Sequence, residues 1–282
     1  MRYLAQSTLG ALLRAASKKI GCLFATSILA TALLRAGCGA NSATWTNTGG
    51  QVSKFGTDAL VYDSVHNVLY AGCEQQVGQA GETAGRGVWK YDGKSWTDAG
   101  LSSSVTSIAS LAYDGKHNLL YAGTLAGGGV LKYTGSEWMA TGWAVSTSWV
   151  NSLAYDSAGD VLNAGAGSGT EEVGHFGQGV WKYAGTNWTE TIGAVANRSV
   201  KALVCGSDGE VYASCYQNGA GDGVWRYNGT TWANTGDAAS GRLIESLAYD
   251  SNHNLLYAGC SGHGGGAGAD FGVWRFRPEP SK

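Results

Sequence analysis

Proline is almost missing: Pro278 and Pro280 are the only two in 282 residues, and both fall in the C-terminal tail. The body of the chain therefore makes its turns without it. Charge is scarce too. Charged residues are 14% of the sequence, and 19 basic against 21 acidic side chains leave a net charge of −2. Phosphate recognition needs clustered basic residues, so no nucleic-acid partner is expected. The apolar run from Ile20 to Leu34 is shorter than the ~20 residues of a membrane-spanning helix. A phosphate-binding loop, an HExxH helix, a calcium loop and a nucleophile elbow are all missing. These absences lead us to expect no metal, no cofactor and no enzymatic activity. What is abundant is glycine, 45 residues, about twice its usual ~7% share. Much glycine with little charge suits short strands joined by tight turns and argues against a helical enzyme.

The first 40 residues differ from the rest. Lys18 and Lys19 precede the Ile20–Leu34 run, and Arg35-Ala36-Gly37-Cys38-Gly39 follows it. A basic flank before a short apolar stretch has the form of a signal peptide. Ala36-Gly37-Cys38 resembles a bacterial lipobox, with Arg35 where that family usually has Leu. The resemblance implies lipidation at Cys38. Secretion with cleavage near Ala40 and an uncleaved anchor are the alternatives. All three place the folded part outside the cytoplasm. The domain reading is an export segment over 1–40, one folded domain over 41–277 and a tail over 278–282.

One phrase recurs. Gly87 opens GVWKYDGKSW, Gly129 opens GVLKYTGSEW, Gly179 opens GVWKYAGTNW, Gly223 opens GVWRYNGTTW, and Gly272 opens a clipped GVWRF. The steps are 42, 50, 44 and 49 residues. A β-rich phrase, a turn ending in Gly and a second strand opening on Trp reads as a hairpin. Upstream of each copy lies a second phrase, such as Leu111-Ala112-Tyr113-Asp114, then a polar turn and a third apolar run such as Leu255-Leu256-Tyr257-Ala258-Gly259. Each unit thus carries strand A (SLAYD), strand B (LLYAG), a variable loop, strand C (GVWKY) and strand D (opening on Trp). The fifth unit lacks strand D, and Trp45-Thr46-Asn47-Thr48-Gly49 supplies a spare copy of it. Repeats of this length with four strands predict an all-β fold, a five-bladed β-propeller of four-stranded antiparallel blades. The N-terminal strand is expected to complete the last blade and close the ring.

The repeats resemble those of secreted bacterial β-propellers. More distantly, the turn is similar to the Asp-box of sialidases and sortilin-type propellers: Gly93-Lys94-Ser95-Trp96 and Gly229-Thr230-Thr231-Trp232 match its second half, while Tyr91, Tyr133, Tyr183 and Tyr227 replace its Asp. The blade count resembles that of tachylectin, a five-bladed sugar-binding propeller.

Most conspicuous residues follow the repeat and read as structural. Lys90, Lys132, Lys182, Arg226 and Arg275 share one position and are expected to pair with the strand A carboxylates Asp63, Asp114, Asp156 and Asp250. Nine of the eleven Trp residues fall in strands C and D, where blade packing accounts for them. Cys73, Cys205, Cys215 and Cys260 are expected to remain free thiols, since equivalent points on neighbouring blades diverge too far for a disulfide. His66, His117 and His253 share the A–B turn.

Binding residues are sought where the repeat is broken. B–C and D–A connections emerge on one face, and loops on a rigid scaffold carry function. That face holds Trp143 and Trp149, which have no repeat equivalents, with Glu74, Arg86, Glu171, Glu172, His175, Asp222, His263 and Asp270. Unpaired indoles beside acidic loops suit sugar stacking and hydroxyl contacts. The reading is a monomeric binding module for a glycan or cell-surface polymer, touching a membrane only through its N-terminal anchor. The alternatives are an envelope protein-interaction scaffold and a degenerate sialidase-like glycoside hydrolase.

Overall fold

The structure, a computed structural model, describes residues 44–74, 87–101, 107–125, 128–142, 149–167, 179–217, 220–236, 241–261 and 271–279. The chain divides into two compact units, Met1–Thr46 and Asn47–Lys282. Residues 1–43, on which the expected export segment and Cys38 fall, lie outside the described residues.

The second unit is a series of antiparallel sheets in chain order. Sheet one holds β1 (Thr57–Asp63), β2 (Val68–Cys73), β3 (Gly87–Tyr91) and β4 (Trp96–Gly100). Sheet two holds β5 (Ile108–Asp114), β6 (Leu119–Thr124), β7 (Val130–Tyr133) and β8 (Trp138–Ala140). Sheet three holds β9 (Trp149–Asp156), β10 (Val161–Gly167), β11 (Val180–Tyr183) and β12 (Trp188–Glu190). Sheet four holds β13 (Ser199–Cys205), β14 (Val211–Gln217), β15 (Ala220–Tyr227) and β16 (Trp232–Asn234). Sheet five has three strands, β17 (Leu243–Asp250), β18 (Leu255–Ser261) and β19 (Gly272–Phe276). The four-strand unit read from the repeat is thus present four times.

Each unit is built by the same local devices. The strand C Tyr lies opposite the strand D Trp in register, and the rings pack at 4.9–5.1 Å between centroids in Tyr91–Trp96, Tyr133–Trp138, Tyr183–Trp188 and Tyr227–Trp232. Between them the chain turns through Gly93, Gly135, Gly185 or Gly229, all at φ of 90–98°, a region open to glycine at little cost. At the A–B turn, Asn67, Asn118, Asp160 and Asn254 take the left-handed conformation, which short polar side chains tolerate best. The strand A tyrosines Tyr62, Tyr113, Tyr155 and Tyr249 donate to these side chains. Unit four departs at both places together: Cys205 stands for the Tyr and Gly209 for the Asn.

Neighbouring sheets pack through their first strands, β1 on β5, β5 on β9, β9 on β13 and β13 on β17. The core lies between them, with Ile108, Val150, Val200 and Ile244 fully buried. The indole N–H groups also cross: Trp138 donates to the Ala99 carbonyl, Trp188 to Thr141 and Trp232 to Thr191 in the preceding unit, at 2.7–3.1 Å.

Completion of sheet five by the expected N-terminal strand is not seen among the strand pairings. Residues 44–49 carry no strand, and β19 stands as the edge of its sheet. Gly49 and Gly50 take φ of 71° and 73°, which turns the chain out of extended geometry just after the segment. Among the described residues the series of sheets runs from one to five, and its strand pairings do not close it into a ring. The surfaces that closure would cover are bare. Val273 is 75% exposed, whereas its equivalents Val88, Val130, Val180 and Val224 are at most 2% exposed. Leu60 and Tyr62 on the outer side of β1 are exposed as well.

Candidate functional site

One irregularity recurs at the same point of every first strand. The β1–β2 register skips Asp58, and those of β5, β9, β13 and β17 skip Ala109, Asn151, Lys201 and Glu245. A bulge leaves its extra residue outside the ladder and re-aims the side chain. It sits next to the D–A connection, on the face where B–C connections also emerge. Four of the five residues raised there are polar or charged.

They reach one another across sheets. Lys201 Nζ stands 3.5 Å from Glu245 Oε2. Glu245 Oε1 accepts hydrogen bonds from the Tyr216 hydroxyl and Ser261 Oγ, both at 3.0 Å. Burial pushes the Glu245 carboxyl up, but Ser261, Lys201 and Tyr216 outweigh it and hold the pKa below the ordinary value. Asn151 Nδ2 donates to the Val200 carbonyl of the next sheet at 2.9 Å. Asp58 of sheet one lies within the field of Lys201 of sheet four. Partial desolvation of its exposed side chain raises the Asp58 pKa, and that ammonium only partly offsets it. Sheets one and four are not neighbours in the series, yet these two groups lie close enough to interact. An acceptor at Asp58 and a donor at Lys201 with protons to spare can serve hydroxyl groups that both give and accept hydrogen bonds.

Of the residues anticipated from sequence, Trp149 opens β9 on this face, opposite Gly167, and is half-buried. Glu74 follows β2, where its amide bonds to the Gly56 carbonyl at 3.0 Å. Asp222 is occupied structurally: it pairs with Arg198 and accepts from the Trp225 indole at 2.9 Å, while the guanidinium lies 4.4 Å over that ring. Trp143, Arg86, Glu171, Glu172, His175, His263 and Asp270 lie outside the described residues. The bulge positions were missed because one extra residue per strand looks, in sequence, like imperfect alternation.

The expected pairing of the basic position with strand A carboxylates needs correcting. Asp63, Asp114 and Asp250 cap the A–B turn instead, accepting two backbone N–H groups and lying 2.7 Å from Nδ1 of His66, His117 and His253. Turn geometry places those amides on the three carboxylates; Asp156, by contrast, still acts electrostatically on Lys182 of its own unit. Unit four has Gly206 where the other units have the strand A Asp, and there Arg226 pairs with Glu210 instead. Lys182 lies 4.3 Å over the Tyr227 ring of the next sheet.

On that turn face Asp114, His117 and Asp160 bring ligand atoms within 4.8 Å of one another, as a cation site would. Lys116 Nζ already donates to Asp160 at 2.7 Å and turn amides satisfy Asp114, so the group is held by the protein's own donors. Cys73, Cys205, Cys215 and Cys260 are free thiols. Burial pushes all four pKa values up, that of Cys205 to about 12, which disfavours the thiolate that metal binding or nucleophilic attack would use.

No family model and no curated protein matches the chain. Solved structures do. The extracellular domain assigned to a one component system from B. thetaiotaomicron is 18% identical with a TM-score of 0.54, over 78% of this chain and 27% of that one. The Niastella koreensis GH74 enzyme is 17% identical with a TM-score of 0.56, over 72% of this chain and 33% of that one. A chain of the Nidogen/Laminin complex is 11% identical with a TM-score of 0.53, over 73% and 72%. The chain thus spans about a quarter to a third of the two bacterial proteins it matches. At such identities the likeness speaks to the fold, a propeller-like series of four-stranded antiparallel sheets.

Proposed function

We propose that the chain is an exported binding module, lipid-anchored at Cys38, that takes a glycan or cell-surface polymer on the face of the D–A and B–C connections. The observation that carries the reading is the bulge set, which raises Asp58, Asn151, Lys201 and Glu245 at the same point of their strands, on the face of the D–A connections. Trp149 on the same face adds an aromatic surface for a sugar ring. The fold likeness to an extracellular bacterial domain and to a GH74 enzyme is compatible with export and with carbohydrate. The module binds without catalysis and acts as a monomer.

The five sheets are, on this reading, blades of one ring closed by Trp45–Gly49. The Trp96 indole donates to Thr48 Oγ1 at 3.1 Å, as Trp188 does to Thr141 and Trp232 to Thr191. Thr48 therefore stands where the end of a preceding strand D stands. Asn47 also accepts the Gly49 N–H, as Asp98 and Asn234 accept those of Gly100 and Gly236. The bare faces of Leu60, Tyr62 and Val273 are the surfaces the seam would bury.

Probing a glycan array with the purified protein tests the binding reading. Saturable sugar binding that weakens on Trp149→Ala is expected. A silent array together with recovery of one envelope protein would replace this reading with a protein-interaction scaffold.

A further inference from the structure

We infer that the bulge set selects a neutral, hydroxyl-rich glycan and rejects acidic ones, with Asp58 and Glu245 as the specificity-determining residues. The inference rests on the glycan reading above and adds the ligand's charge class.

The argument is a charge count at one place. Among the described residues, the bulge positions carry two carboxylates, one ammonium, one amide and one methyl group, in Asp58, Glu245, Lys201, Asn151 and Ala109. Lys201 is the one cation among them, and it faces Glu245 at 3.5 Å with Asp58 also in its field. An incoming carboxylate or sulfate would compete with two acidic groups for one ammonium already engaged. Like-charge juxtaposition is a strong means of rejecting a wrong partner. A neutral sugar meets no such penalty. One hydroxyl can accept from Lys201 while it or its neighbour donates to Asp58, so both groups stay paired when the ligand displaces water.

The roles of the two carboxylates differ. Glu245 is held by Tyr216, Ser261 and Lys201 and is a fixed negative wall. Asp58 carries no hydrogen bond within the described structure and is exposed, so its acceptor capacity is open to a ligand. A carboxylate that accepts from vicinal hydroxyls makes stronger, charge-assisted bonds.

The test uses the purified full chain with four probes at one ionic strength: cellohexaose and the N-acetylglucosamine hexamer as neutral ligands, a galacturonate hexamer and heparin as acidic ones. At least one neutral hexamer is expected to bind about tenfold or more tighter than either acidic probe. Asp58→Asn is expected to weaken the neutral ligand severalfold, and Glu245→Gln to strengthen the acidic probes severalfold. Both side chains are exposed, so the urea midpoint serves to show that each variant is folded. Tighter binding of galacturonate or heparin overturns the inference and leaves the glycan reading intact. So does neutral binding that neither substitution changes. No binding to any probe, with a silent array, overturns the glycan reading and the inference with it.

Discussion

Asp63, Asp114 and Asp250 are the residues on which each A–B turn depends, because each carboxylate meets two turn amides and a histidine ring. Hydrogen bonds to a charged group contribute roughly 1.5–3 kcal/mol each. Asp114 is 2% exposed, and Asp114→Ala leaves the Lys116 and His117 turn amides without their acceptor. Its urea midpoint is expected to fall by an amount equivalent to about 2–3 kcal/mol of stability, while His117→Ala costs less because the amides keep their acceptor. Asp63 and Asp250, with Glu245, also set the acid limit. Burial pushes the Asp63 carboxyl up, but the His66, Tyr113 and Val65 hydrogen bonds outweigh it, and the folded pKa lies below 3.8. His253 does the same for Asp250, and Ser261 with Lys201 for Glu245. A carboxyl whose folded pKa is depressed adds stability above its unfolded value and loses it as pH falls through the folded one. The urea midpoint should hold steady as far as these groups are concerned from neutral pH down to about 5, then drop as pH falls through the ordinary carboxylate range. A midpoint that rises on acidification contradicts the assignment.

At the scale of the element, the hairpin of strands C and D carries the repeat. Its Tyr–Trp pair holds the two strands, and the indole N–H ties the hairpin to the unit before it. The two contributions separate by substitution. Trp188→Phe keeps an aromatic ring against Tyr183 but loses the bond to Thr141, an expected cost of about 0.5–1.5 kcal/mol. Trp232 is buried, and Trp232→Ala is expected to cost about 3–5 kcal/mol in chemical unfolding. Equal losses for the two would mean that packing contributes little. These elements were legible in the sequence because a period of 42–50 residues repeats their turn glycines and aromatic positions. The bulges were not, since a bulge is a property of pairing between strands, and neither Asp58 nor Lys201 looks unusual within its own strand. The partner of Arg226 was hidden similarly: Glu210 sits at the end of the A–B turn, four residues from the vacated Asp position. Trp149 opens β9 beside the D–A connection, whereas Asp222, named with it from the sequence, is held by Arg198.

For the whole molecule, the account hangs on the seam between sheets five and one. If Trp45–Gly49 is the fourth strand of sheet five, it satisfies the open edge of β19 and covers Val273, and the five bulge residues surround one centre. If it is not, the protein keeps an exposed strand edge, a ready template for pairing with other chains. A fragment starting at Gln51 is then the informative comparison. It is expected to lose cooperative unfolding or to aggregate, while one starting at Asn41 unfolds in one step. The most direct measurement is amide hydrogen exchange on the full protein, read at Thr46, Thr48 and Val273. Closure requires protection there comparable to that of Trp188–Glu190 in the fourth strand of sheet three. Exchange at the rate of an unstructured chain at all three amides would contradict it.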